Sequence, residues 1–129
     1  MMTKTEKKAK IEEIISYACM GANEYIRHAF SGIIFTDNVK AIADVAGAYW
    51  LIDAICSYRK KEEFQVWELT VNPDNSAVLT MKEDSNTPVL VRQQIPFTDF
   101  PIENIKFYIE LGSIDCVNPD YVLMLPNER

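Results

Sequence analysis

The apolar positions of the first twenty residues recur with a helical period. Ile11, Ile14, Ile15, Ala18 and Cys19 fall at i, i+3, i+4, i+7 and i+8, with Lys7, Lys8, Glu12 and Glu13 off the stripe, so residues 4–20 read as an amphipathic helix. Gly21 marks its break. From Asn23 to Phe30 the pattern is weak and suits a turn or a short helix, and Ile33-Ile34-Phe35 reads as a brief extended segment. Thr36-Asp37-Asn38 then offers side-chain oxygens for capping. A second helix is predicted from Val39 to Arg59, with Ile42, Val45, Tyr49, Ile52 and Cys56 on one stripe and Ala41, Ala48, Leu51 and Ile55 on its flanks. Between Ala41 and Cys56 the main interruptions are Asp44 and Asp53, and a helix that is apolar on nearly all sides is one covered by other elements. This helix is the predicted spine. Gly47 costs about 1 kcal/mol in a helix relative to Ala, so it is expected to kink the helix or to admit another backbone.

Beyond the charged stretch 59–63 the period changes to two. Phe64–Val71 reads as a strand with Trp67, Leu69 and Val71 on one face and Glu68 and Thr70 on the other. A turn at 72–76 leads to Ala77–Lys82, with Ala77, Leu79 and Met81 inward and Thr80 and Lys82 outward. After the turn 83–88, Val89–Ile95 places Val89, Val91 and Ile95 inward and Arg92 and Gln94 outward. These three strands form an antiparallel meander. Pro96 and Pro101 bracket a rigid corner, Ile105–Leu111 alternates as a fourth strand, Gly112–Asp120 is a loop, and Tyr121–Leu125 is a fifth strand closed by Pro126. The prediction is a single α+β domain over residues 1–129, two N-terminal helices packed on a five-stranded, mostly antiparallel sheet.

Composition changes this picture little. With 48% hydrophobic and 25% charged residues the chain has a globular composition. Its longest apolar run is too short and too interrupted for a bilayer, and its first residues lead into charges, which predicts a cytoplasmic protein without membrane contact. The net charge is −6, and residues 31–129 carry eight basic against fifteen acidic side chains. Such a body repels phosphate backbones, so direct nucleic-acid binding is not expected.

Candidate chemistry is sparse. Cys19, Cys56 and Cys116 are odd in number and form no CxxC pair, which favours buried free thiols over a disulfide framework or zinc site. His28 is the single histidine, and no local signature joins it to a thiol as a nucleophile. The four glycines form no phosphate-binding fingerprint. No cofactor or metal is expected. Asp53 is the most suggestive residue: buried in an apolar helix it is costly and its pKa rises, which offers an acid or base beside Trp50 and Tyr49. The alternative is that Asp53 points outward or accepts hydrogen bonds from a backbone turn or a Tyr hydroxyl. On the outer sheet face Glu68, Thr70, Thr80, Lys82, Arg92 and Gln94 form a mixed polar surface, interspersed with Val66, Val78 and Leu90, on which a partner can dock.

The run Gly47-Ala48-Tyr49-Trp50-Leu51-Ile52-Asp53-Ala54-Ile55, followed by Phe64-Gln65-Val66-Trp67, Phe97-Thr98-Asp99-Phe100-Pro101 and Val122-Leu123-Met124-Leu125-Pro126, resembles a family of small proteins of unknown function from bacteria, prophages and other mobile elements. The resemblance covers most of the chain from about residue 22 onward, and the loop Gly112–Asp120 is longer than the family pattern. It implies no catalytic residues. In size, charge and lack of catalytic machinery the chain is also similar to proteins of the anti-CRISPR type. That resemblance implies a non-enzymatic inhibitor that binds a protein partner, a nucleic-acid-handling enzyme such as a host defence nuclease. The alternatives are a small enzyme with a pocket at Asp53 and a self-associating structural module, a homo-oligomer.

Overall fold

The computed structural model describes residues 2–58, 62–84, 86–112 and 119–129. Helix α1 spans Lys4–Tyr17, opened by a capping box in which Thr3 Oγ1 accepts the Glu6 N–H and the Glu6 carboxylate accepts the Thr3 N–H. A 3-10 turn, Ala18–Met20, follows and ends at Gly21, whose φ is 92°. Ile11 and Ala18 are fully buried, with Ile14 and Ile15 packed against the same core. Cys19, predicted on the apolar stripe, is exposed. The 3-10 turn advances each residue by more than an α-helix does and carries Cys19 off the buried side.

Residues 23–30 are not helical. They contain strand β1, Tyr25–Arg27, which pairs antiparallel with β2, Ile34–Thr36. Helix α2, Asp37–Ala46, then starts from Thr36, whose Oγ1 accepts the Val39 N–H at 3.2 Å. The predicted helix Val39–Arg59 is two helices. Gly47 stands at φ 63°, ψ 37°, and the N–H groups of Gly47 and Ala48 both reach the Ala43 carbonyl. That pattern closes a helix C-terminus through a left-handed residue, which glycine adopts without a Cβ penalty. Helix α3, Tyr49–Ser57, starts afresh on a new phase. Leu51, Ile52, Ile55 and Cys56 are buried, while Tyr49, Asp53 and Ser57 form an exposed stripe. The expectation of a spine covered on nearly all sides, with Tyr49 inward, is therefore corrected by the break. The predicted helix end at Arg59, Cys116 and most of the loop Gly112–Asp120 lie outside the described residues.

Strands β3 (Phe64–Val71), β4 (Ala77–Lys82), β5 (Val89–Ile95), β6 (Asn104–Gly112) and β7 (Asp120–Met124) complete one sheet. Its order is β1-β2-β7-β6-β3-β4-β5, seven strands where five were predicted, and every pairing is antiparallel except β2 with β7. Trp67, Leu69, Leu79, Met81, Ile109 and Leu123 fill the inner face and join the buried helix residues in one core. Gln65 is also buried on that face. It accepts the Trp67 Nε1–H at 2.9 Å and donates to the Glu62 carbonyl at 3.1 Å, which satisfies the buried indole. Val89, predicted inward, is exposed: the β4–β5 register shifts beside Lys82, so that Met81 faces Val91 and Lys82 faces Val89. The extra residue, Leu90, returns Val89 to the outer face. The 96–101 corner is fastened where the Thr98 N–H donates to the Asn75 carbonyl at 2.7 Å, and Phe100 is buried beneath it.

A Cβ added at Gly47 would meet no atom within 4 Å, so Gly47→Ala acts through backbone strain alone. We expect it to lower unfolding free energy by about 1–2 kcal/mol. Gly112→Ala, equally unobstructed and without a positive φ, should stay within about 0.5 kcal/mol. Equilibrium urea denaturation of both variants tests the contrast, and equal losses at the two positions would contradict it.

Candidate functional site

The β1–β2 connection is built around the single histidine. The His28 N–H donates to the Ile33 carbonyl at 2.7 Å, and the Gly32 N–H returns to the His28 carbonyl at 3.0 Å, with Gly32 at φ 75°. Within this turn the Ser31 N–H reaches His28 Nδ1 at 3.2 Å and the Ile33 N–H donates to Ser31 Oγ at 3.1 Å. Nδ1 is thereby an acceptor, which leaves the imidazole proton on Nε2. That nitrogen lies 2.8 Å from Asp53 Oδ1, while Ser31 Oγ lies 2.9 Å from Nδ1. The turn supplies His28 and Ser31, and α3 supplies Asp53.

The His28 side chain is 10% exposed and that of Asp53 65%. Of the two readings of Asp53, the outward one holds and the costly buried carboxylate does not: the phase set by Gly47 turns it to solvent, where water retains its charge while one oxygen holds the buried ring. Its partner is an imidazole, not a backbone turn or a Tyr hydroxyl. The predicted grouping of Tyr49, Trp50 and Asp53 is divided by that pairing. The Tyr49 hydroxyl donates to the Asp44 carboxylate, which also accepts Lys40 Nζ at 3.0 Å, and Trp50 is half-buried against the core. The Tyr49 hydrogen bond holds the Asp44 carboxyl below its ordinary range, and the same bond pushes the Tyr49 phenol up.

Cys56 lies one turn beyond Asp53. Burial pushes its thiol up to about 11, opposed by a hydrogen bond with Ser31 and reinforced by the Asp53 charge. A thiol so placed is protonated at neutral pH and is a poor nucleophile. Among the described residues the side chains hydrogen-bonded to the His28 ring are Ser31 and Asp53, and the Phe30 ring lies edge-on at 6.2 Å. The order is carboxylate, imidazole and hydroxyl, in which the acid fixes the tautomer and the unprotonated nitrogen faces the O–H. A cavity of about 370 Å³ adjoins Ser31, walled by Gly32, Ile33, Leu111, Asp120 and Tyr121 among others. Among the described residues no group of three His, Cys, Asp or Glu side chains is placed to hold a metal, and no helix is long and apolar enough to cross a membrane.

The outer sheet face is a second candidate. Strand register aligns Lys106, Glu68, Thr80 and Arg92 in one row, Asn104, Thr70, Val78 and Gln94 in the next, and Tyr108, Val66, Lys82 and Val89 in a third. All six predicted surface residues, Glu68, Thr70, Thr80, Lys82, Arg92 and Gln94, therefore share a face and are half-buried or exposed. Asn104 Nδ2 donates to Glu68 Oε2 at 2.7 Å and lies 3.3 Å from Thr70 Oγ1. Further along the sheet Arg129 stacks on Phe64, its Cζ 4.2 Å from the ring centroid, and pairs with Glu110 at 3.1 Å. The His28–Asp53 contact was missed from the sequence because 25 residues separate the two and no local motif links them.

The chain belongs to a family of unknown function, DUF6876, whose match extends over residues 12–129. Neither curated proteins nor solved structures gave a match.

Two measurements test this geometry. Nitrogen-15 shifts of the His28 ring should report the Nε2–H tautomer near neutral pH, and an Nδ1–H form would contradict the turn. With its thiol near 11, Cys56 should be roughly one part in a thousand thiolate at pH 8. In a Cys116→Ser background, a thiol reagent at pH 8 should modify exposed Cys19 quickly and Cys56 only on unfolding. Labelling of native Cys56 should rise as pH approaches 11; equal rates at both cysteines at pH 8 would refute its burial.

Proposed function

We propose that this protein acts by non-enzymatic docking of a protein partner on the outer face of strands β6, β3, β4 and β5. The carrying observation is the alignment of Glu68, Thr70, Thr80, Lys82, Arg92 and Gln94 on that face, away from the core. Half-exposed Val66, Val78 and exposed Leu90 lie among them, a mixture suited to a partially desolvated contact with a polar rim. Lys82, Arg92 and Lys106 outnumber Glu68 in those rows, and Glu110 on the same face of β6 is paired with Arg129, although the whole chain carries −6. The fitting partner surface therefore presents carboxylates, and complementary charge sets association rate and orientation.

The resemblance to mobile-element proteins supports a narrower form, an inhibitor of a host nucleic-acid-handling enzyme such as a CRISPR nuclease. Docked through its basic face, the protein presents its acidic remainder to the enzyme's surroundings and opposes the approach of a phosphate backbone. This reading assigns catalysis to no residue of the docking face. It makes the partner a protein, with no cofactor and no direct contact to nucleic acid.

The test is affinity capture from host lysate with the wild type and with Lys82→Glu/Arg92→Glu, followed by nuclease assays of what is captured. The double variant should lose at least about tenfold of the recovered partner, because like charges now oppose across the contact. The wild type should inhibit that partner's cleavage of nucleic acid. Equal recovery by both proteins would refute docking through this face, and recovery without inhibition would refute the narrower form.

A further inference from the structure

We propose that the Asp53–His28–Ser31 cluster is an acyl-transfer site, with Ser31 as nucleophile, His28 Nδ1 as its general base and Asp53 as the positioning residue, acting on small uncharged esters. Its geometry has three parts that such chemistry requires. The base is within 2.9 Å of the hydroxyl, the opposite ring nitrogen is within 2.8 Å of a carboxylate, and the ring is nine-tenths buried. The Ser31 N–H contact makes Nδ1 the unprotonated nitrogen, whose lone pair is shared between that N–H at 3.2 Å and the hydroxyl at 2.9 Å. The Ile33 N–H holds Ser31 Oγ in place at 3.1 Å, and a remaining oxygen lone pair attacks.

The cavity beside Ser31 defines the substrate class. Ile33, Leu111 and Tyr121 give it apolar walls, and the Asp120 carboxylate at its edge is balanced by Arg27 at 3.3 Å, which suits an uncharged acyl group. About 370 Å³ is at the small end of ligand sites, which suits a short acyl chain. In the acylation step the Ser31 Oγ–carbon bond forms as the Ser31 proton passes to Nδ1. The carbon–oxygen bond to the leaving alcohol then breaks, and Nδ1 returns its proton to the alkoxide. Water attacks the acyl-serine in the second half, giving its proton to Nδ1 and then to Ser31 Oγ, so that one ester and one water yield one acid and one alcohol. Buried Cys56, which hydrogen-bonds with Ser31, supplies no competing thiolate nucleophile, because its thiol remains protonated.

This inference is independent of docking on the sheet face, so either can fail alone. The probe is a fluorophosphonate applied to the full chain, with the adduct located by mass spectrometry. Its phosphorus bonds to Ser31 Oγ as fluoride leaves, and the proton held on Nδ1 passes to solvent. We expect an adduct on Ser31, absent in Ser31→Ala, and a rate at least about a hundredfold lower in His28→Asn. Asp53→Asn should slow labelling and displace its pH profile, a readout that a purely structural role would leave in place. Because His28→Asn can also perturb the turn, the wild-type rate is measured against pH alongside the His28 titration followed by NMR, and the two midpoints should coincide. Absence of a Ser31 adduct in the folded wild type, an unchanged rate in folded His28→Asn, or wild-type labelling that ignores the His28 titration overturns the proposal.

Discussion

The left-handed turn at Gly47 governs what α3 can contribute. An uninterrupted helix would keep one phase from Val39 onward and place Tyr49 on the same stripe as Ile42 and Ile52. Closing α2 at Gly47 lets α3 begin again, so that Ile52, Ile55 and Cys56 face the core while Tyr49 and Asp53 face outward. From that position Asp53 reaches His28, and through it the turn that joins β1 to β2. One backbone conformation therefore fixes the relation between a helix and a hairpin far from it in sequence. Glycine is required there for its φ and not for space, since a Cβ would meet nothing.

The sheet has a different logic. Its inner face is closed by the helices and by residues such as Trp67, Leu79 and Phe107, leaving the outer rows of β3 to β6 to mixed polar and apolar side chains. At the other end the same face is partly closed: Ile34 and Val122 are buried in the row that contains Phe64 and Glu110, where Arg129 stacks and pairs. The proposed docking surface is thus bounded on one side by an ordered aromatic and ionic contact. The hairpin turn and Asp53 occupy a separate region, which is why binding and acyl transfer can be assigned to different parts of one sheet.

Legibility in the sequence followed the range of the interactions concerned. Strands β3, β4 and β6 showed a clean period of two because each packs one face on the core, and their polar alternates correctly named the outer surface. Strand β1 was hidden: three residues carry too little pattern, and Tyr25–Arg27 is a strand because β2 pairs with it. Strand β5 was placed, but its bulge was not visible, so Val89 was assigned to the wrong face. The cost of Gly47 in a helix was apparent, whereas its resetting of the helical phase was not, and the misplacing of Tyr49 descends from that, while for Asp53 the outward alternative held. The His28 contacts required the tertiary approach of two elements, for which neither periodicity nor spacing holds a signal.

The most direct test of the central claim, docking on the outer sheet face, is hydroxyl-radical footprinting of the protein free and bound to its captured partner. The account predicts that protection on binding is concentrated at Val66, Val89, Leu90 and Tyr108, with Phe30 and Phe97, exposed elsewhere, unchanged. Protection concentrated at Phe30 and Tyr25, with the sheet residues still oxidised at their free rate, would contradict it and move the interface to the hairpin.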